Sequence, residues 1–362
     1  MKNTLDILKN ANTGNEFGYS NIEDIESCYK YYEKYAQNLI NSLGPEKNLF
    51  NQKDEKKLEF VYRWEESVNA GSVEGDKWDE INFNEGAILK IYDLFYKINT
   101  RTTLIDTKEK IKSVTEIRRN VFFSNSNIKD SKVINTEMML SDNKIINNIS
   151  EYMAMFATKF LVAHEIGHIY NGHTEYYKSI CEKIKNKNGD IESLYLDLQT
   201  MEMDADAFAI NRMVDEVFRL SKSNDKIFSL LNNKIEIIKI LEAAIHGVFY
   251  IFRDYDKDVN YKLRKHPSAY AREMMVLDAM KQAFMNHYKI DISHEFICKN
   301  VALIDEHLHS AEKSSNKQYK EYIIKFGPDV VEYTEILREN FMNKVNKIIK
   351  KDSRLPVENI DY

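Results

Sequence analysis

Two histidines four residues apart, with a glutamate beside the first, make His164-Glu165-Ile166-Gly167-His168 the stretch of this chain best suited to chemistry. On a helix, residues at that spacing sit one turn above each other, so both imidazoles point the same way and can share one Zn²⁺. Glu165 then lies where its carboxylate can take a proton from a metal-bound water. The surrounding Tyr152, Met153, Phe156, Phe160, Leu161, Ala163, Ile166, Ile169 and Tyr170 are apolar around most of a helix surface, which predicts a buried central helix. Gly172 supplies its stop.

A catalytic zinc needs a third protein ligand and an open fourth position. The stretch from Met201 to Ala209 offers one, because Glu202 and Asp206 share a helix face at four-residue spacing. Glu202 is the candidate ligand. Asp206, one turn on, is placed to accept a hydrogen bond from the distal ring N–H of a ligand histidine and fix its tautomer. Asp204 is the fallback ligand, but two residues from Glu202 it points to the opposite side and is read as solvated. His173 is read as a solvated histidine just past a helix end.

The H-E-x-x-H helix followed by E-x-x-A-D on a second helix resembles the gluzincin metallopeptidases. The pattern is shared with HtpX and CAAX-type peptidases and with the Lit-type phage-exclusion peptidases. His266-Pro267-Ser268-Ala269-Tyr270-Ala271-Arg272 is similar to the H-P-x-x-x-x-R segment of those families. The ImmA/IrrE-type peptidases are a second resemblance, through Glu202, Ala205, Asp206, Phe208 and Ala209. Metzincins do not fit, since their register needs glycine and histidine where this chain has Asn171 and Thr174. The resemblance implies a zinc-dependent endopeptidase, with His164, His168 and Glu202 holding Zn²⁺ and Glu165 as base. It also implies a zincin-like core, a protein or peptide substrate, a role in phage exclusion or regulated proteolysis, and an activating partner. His266, Tyr270 and Arg272 are candidates for the donor that stabilises the oxyanion, His266 first; its alternative role is to cap the helix that Pro267 begins. The rival reading is a catalytically silent zinc-binding scaffold that acts through partners.

Composition sets bounds on these readings. The chain has 362 residues and a formal net charge of -6, which gives no reason to expect nucleic-acid binding. No proline occurs between Pro45 and Pro267, favouring a mainly α protein with a small β-sheet over a turn-rich β fold. Cys28, Cys181 and Cys298 are odd in number and widely spaced, and read as free thiols in a reducing cytoplasm. The greasy run from Ile235 to Phe252 is interrupted by Glu236, Lys239, Glu242 and His246, so it reads as a core helix and not a membrane span.

The elements that must position the site follow from periodicity. Ser20 and Glu23 form a capping box for a helix carrying Tyr29, Tyr32, Tyr35, Ala36 and Leu39 to Gly44-Pro45. A second helix is expected from about Glu55 to Gly71, with Leu58, Val61, Tyr62, Glu65 and Val68 on one side. Residues 71–86 read as a loop and 87–99 as a third helix. Val121 to Phe123 and Val133 to Leu140 are the strand candidates, ahead of a metal helix from about Asn147 to Tyr170. The polar run at 185–190 reads as a turn before the third-ligand helix. Pro267 suits the first turn of a helix continuing to Phe284, and Gly327-Pro328 breaks the helical C-terminal part. His307 and His309 read as solvated. The expected organisation is an N-terminal helical region (1–110), the zincin-like core (111–275) and a C-terminal helical region (276–362), packed as one unit.

Overall fold

A computed structural model describes residues 22–43, 57–63, 65, 67–75, 77–102, 104–109, 111, 114–124, 133–223, 225–253, 263–312 and 318–355. The fold is mainly α, with one three-stranded and one two-stranded sheet. Helix α1 (Ile22–Leu43) precedes strands β1 (Lys57–Arg63), β2 (Ala70–Glu74) and β3 (Trp78–Asn84), then helix α2 (Glu85–Arg101). A hairpin of β4 (Glu116–Ser124) and β5 (Val133–Ser141) leads into the central helix α3 (Lys144–Tyr170). Helices α4 (His173–Lys185), α5 (Ile191–Lys222), α6 (Ile227–Leu230), α7 (Glu236–Arg253) and α8 (Ala269–Tyr288) follow. The chain continues through α9 (His294–Glu312), α10 (Gln318–Asn340), a π-helical turn (Phe341–Val345) and α11 (Asn346–Ile349).

Helix α3 is the axis of the molecule. Every residue from Phe156 to Gly167 is buried, as expected for a helix apolar on all sides. It packs against α1, α2, α5, α7 and strand β2. Asn143 caps its N-terminus by accepting from the backbone N–H groups of Ile145 and Ile146. At the other end Gly172 takes φ +82, a left-handed conformation that glycine adopts without steric cost. A Cβ there would also lie 2.6 Å from the Ser353 nitrogen and 2.7 Å from the Ile349 oxygen, so the turn is sealed by the C-terminal segment.

Four expectations about elements need correction. The stretch taken as a second helix is β1, where Leu58, Phe60 and Tyr62 turn towards the core while Lys57, Glu59, Val61 and Arg63 face outwards. Period two, not 3.6, is the one that buries those aromatics. The expected loop at 71–86 is the β2–β3 hairpin, with Ile81 and Phe83 fully buried; its three glycines and many acids hid that alternation. Strand β1 runs parallel to β3 and β2 antiparallel to it, in the order β1-β3-β2. Helix α10 runs through Gly327-Pro328 without a break, and its Val330, Tyr333 and Leu337 pack into an apolar cluster with Ala271 and Met275 of α8. Pro267 lies before α8, because Ser268 is the cap and its hydroxyl accepts from the Ala271 N–H.

The β4–β5 hairpin and the buried α7 fall where periodicity put them. Among the described residues no helix is long and apolar enough to cross a membrane. Cys181 and Cys298 are free thiols, whereas the Ser20–Glu23 box, the Cys28 side chain and Gly44-Pro45 lie outside the described residues.

Candidate metal centre

Helices α3 and α5 cross at Gly167. A Cβ at that position would stand 3.1 Å from the Phe208 ring and 3.3 Å from the Ala205 Cα, so the glycine of the H-E-x-x-H stretch permits the close approach. Glu202 and Asp206, on either side of Ala205, are thereby carried up to the two histidines.

The three expected donors come together. His164 Nε2 and His168 Nε2 are 3.0 Å apart, and Glu202 places one oxygen 3.5 Å from the first and the other 3.4 Å from the second. They form the one group among the described residues with the spacing to hold a metal ion. Tetrahedral zinc with ligands at roughly 2.0–2.1 Å needs ligand atoms about 3.3 Å apart; the two imidazole nitrogens are near that spacing, and either Glu202 oxygen is close enough to complete the set.

Hydrogen-bond direction gives an independent test of fit. His164 Nδ1 lies 2.8 Å from Asp206 Oδ1. A carboxylate can only accept, so the hydrogen between these two atoms belongs to Nδ1, and Nε2 is the nitrogen that faces the triangle. Asp206 is itself gripped by Arg272, whose Nε and Nη2 donate to its two oxygens at 2.7 and 2.8 Å. That fork keeps Asp206 charged: burial alone would favour its neutral acid, but the guanidinium and His164 hold its pKa below the ordinary value. Asp206 therefore has the contact expected of it, and Arg272 is committed to Asp206, with its Nη1 3.4 Å from Glu202.

Burial likewise disfavours a charge on His164, yet Asp206 and Glu202 outweigh it and lift its pKa to about 10. Burial opposes the Glu202 carboxylate too, but His266 and His168 hold it well below the usual range. Two imidazole nitrogens and a buried carboxylate facing one point ask for a positive charge there, a proton or a metal cation. The donor set fits Zn²⁺.

Glu165, the chain neighbour of His164, is buried, and no hydrogen bond or ion pair engages its carboxylate among the described residues. Its charge reaches Arg272. His266 stands at the rim: its Nδ1 is 3.1 Å from Glu202 Oε2 while 62% of the side chain is exposed to solvent. Capping of α8 falls to Ser268, not to His266. Tyr270 packs with Val330, Tyr333 and Leu337.

The readings of His173 and Asp204 as solvated are overturned. His173 is 1% exposed, its Nδ1 is 3.0 Å from His168 Nδ1, and its Nε2 is 3.0 Å from Asp204 Oδ2. Asn171 donates to the same Asp204 oxygen at 2.6 Å. The two-residue offset does swing Asp204 away from His164, but the left-handed turn at Gly172 brings the first residue of α4 to meet it. Only the unusual clustering of His164, His168 and His173 within ten residues hinted at this. His309 is also not free in solvent, lying 3.2 Å from Asp305 and edge-on to Tyr250.

Comparison with known proteins adds the lineage. No curated protein and no solved structure matches the chain. The Peptidase U49 family model matches residues 88–288, which is more than half of the sequence and runs from α2 to the end of α8. That span carries all of His164, Glu165, His168, Glu202, Asp206, His266 and Arg272, and the chain belongs to the Peptidase U49 family.

Proposed function

We propose that this peptidase is a zinc-dependent endopeptidase of gluzincin type, with His164, His168 and Glu202 as the metal ligands. The supporting observation is the convergence of those three donors, with Glu165, the chain neighbour of His164, a buried carboxylate that has no other bonding partner among the described residues. Zinc bound there supplies Lewis acidity and lowers the pKa of a bound water towards about 7. Glu165 takes the proton of the attacking water on its carboxylate and passes it to the leaving amine as the peptide bond breaks. His266, exposed at the rim, donates to the carbonyl oxygen as charge builds on it. Asp206, held by Arg272, keeps the His164 ring in its metal-binding tautomer.

The likeness to Lit-type peptidases extends the reading to an intracellular protein substrate, a cytoplasmic setting, a phage response or regulated proteolysis, and an activating partner. The first test is elemental analysis of wild type beside Glu202→Ala and Glu165→Gln, with cleavage of a peptide library followed by mass spectrometry. One zinc per chain, weakened in Glu202→Ala, and kept in a Glu165→Gln protein that has lost cleavage, is the expected result. No zinc in wild type after loading would sink the metal reading. Zinc kept with cleavage unaltered by Glu165→Gln would leave a scaffold that binds zinc without using it for hydrolysis.

A further inference from the structure

We infer that His173 and Asp204 form a positioning relay that sets the tautomer and ring orientation of His168, resting on the reading of His168 as a metal ligand. Asp204 Oδ2 lies 3.0 Å from His173 Nε2, and a carboxylate can only accept, so that nitrogen carries the hydrogen. A neutral His173 then has a bare lone pair on Nδ1. That nitrogen faces His168 Nδ1 at 3.0 Å, where two lone pairs would repel, so the hydrogen of His168 must sit on Nδ1. Its Nε2 is left as a lone pair turned towards His164 Nε2 and Glu202, an arrangement that holds together around a shared proton or cation and that a metal requires.

His173 is therefore not a displaced fourth ligand. Its two nitrogens are both spent, one on His168 and one on Asp204, and the ring is enclosed on all sides. Asn171, the residue that caps the C-terminus of α3, donates to Asp204, so the carboxylate is anchored to the end of the helix that carries His168. The site thus has two supports: Asp206 with Arg272 behind His164, and Asp204 through an intervening imidazole behind His168. Loss of such outer partners usually weakens metal binding by about 10- to 100-fold.

The experiment pairs zinc affinity, by competition with a chelator, with ¹⁵N NMR of the His168 ring in metal-free protein. His173→Phe fills the same space without an acceptor, Asp204→Asn removes the fixed acceptor, and His173→Asn returns an oxygen near the Nδ1 position. We expect about 10- to 100-fold weaker zinc binding in the first two and recovery of most of it in the third, each compared as folded protein. The His168 ring should carry its hydrogen on Nδ1 in wild type and become a tautomer mixture in Asp204→Asn. Folded His173→Phe and Asp204→Asn proteins with wild-type affinity and an unchanged tautomer would overturn the relay, as would an Nε2–H ring in wild type. If wild type takes up no zinc, the metal reading fails, and the NMR comparison still decides the relay.

Discussion

Arg272 is the residue whose removal should separate support from chemistry most sharply. Its guanidinium is buried against the Phe249 and Phe252 rings, forks onto Asp206 and approaches Glu202. Arg272→Leu would leave two buried carboxylates facing each other with their cation gone, at a cost of about 3–5 kcal/mol. Chemical denaturation of the metal-free protein should register that loss, and zinc titration should show weakened binding. Arg272→Lys keeps the charge but not the fork, and is expected to fall between. His266 makes the opposite prediction, since its side chain is largely exposed and touches only an edge of the site. His266→Ala should keep its zinc and its stability while kcat drops by about 100-fold, the scale of one lost oxyanion donor. Equal kcat in that variant would remove His266 from the reaction.

At the scale of elements, the centre depends on how the ends of α3 are held. The C-terminal segment after α11 returns across the turn at Gly172: the Arg354 backbone N–H donates to the Tyr170 carbonyl at 2.8 Å. The Arg354 side chain reaches Glu74 of β2 and Asp79 of β3, and its guanidinium lies over the Tyr170 ring. Both carboxylates raise its already high pKa despite burial, so it is a permanent cation tying sheet, tail and α3 together. Thr174 of α4 donates to Glu74 from the other side. Arg354→Ala should lower stability by about 3 kcal/mol or more, because Glu74 and Asp79 are left buried without their partner. Adding Glu74→Gln and Asp79→Asn should recover part of that loss, a coupling that a denaturation cycle would reveal. Gly172→Ala is expected to be costly as well, since the new Cβ meets backbone that cannot move aside.

Across the whole molecule, polar contacts stitch the helices together. His246 of α7 lies between Glu273 of α8 and Asp305 of α9, and Arg253 reaches both acids. Lys159 in α3 is buried on Glu216 of α5 beneath the Tyr31 and Tyr35 rings of α1. Among the described residues Glu242 of α7 has only the Asn300 amide of α9 as its hydrogen-bond partner, and burial pushes its pKa up to about 8. That carboxyl keeps its proton in the fold while the unfolded chain loses it near the ordinary value of 4.5. The unfolded state thus binds fewer protons between those values, and stability falls as pH rises through that window, by up to about 1.4 kcal/mol per pH unit from this group. Below the window the contribution is fully present; above about 8 it is gone. Melting of Glu242→Gln, whose amide stays neutral, should show less of that decline than wild type, and identical slopes would exclude Glu242 as its source.

The sequence by itself determined the components that are local. Spacing of four put His164 above His168 and Glu202 beside Asp206, and an all-apolar surround made α3 central, because helical periodicity is a property of neighbours in the chain. Strand β5 was legible from alternation for the same reason, and part of β4 from the apolar run at Val121 to Phe123. The β1-β3-β2 sheet was not, since its short strands carry glycines and acids, and only pairing with each other and packing on α3 favour the extended form. Tertiary structure alone decided the contact between Asp204 and His173. Asp204 and His173 lie 31 residues apart, and their meeting requires both the crossing at Gly167 and the reversal at Gly172. A hydrogen bond between side chains on two helices depends on the angle at which those helices cross, which no local pattern encodes.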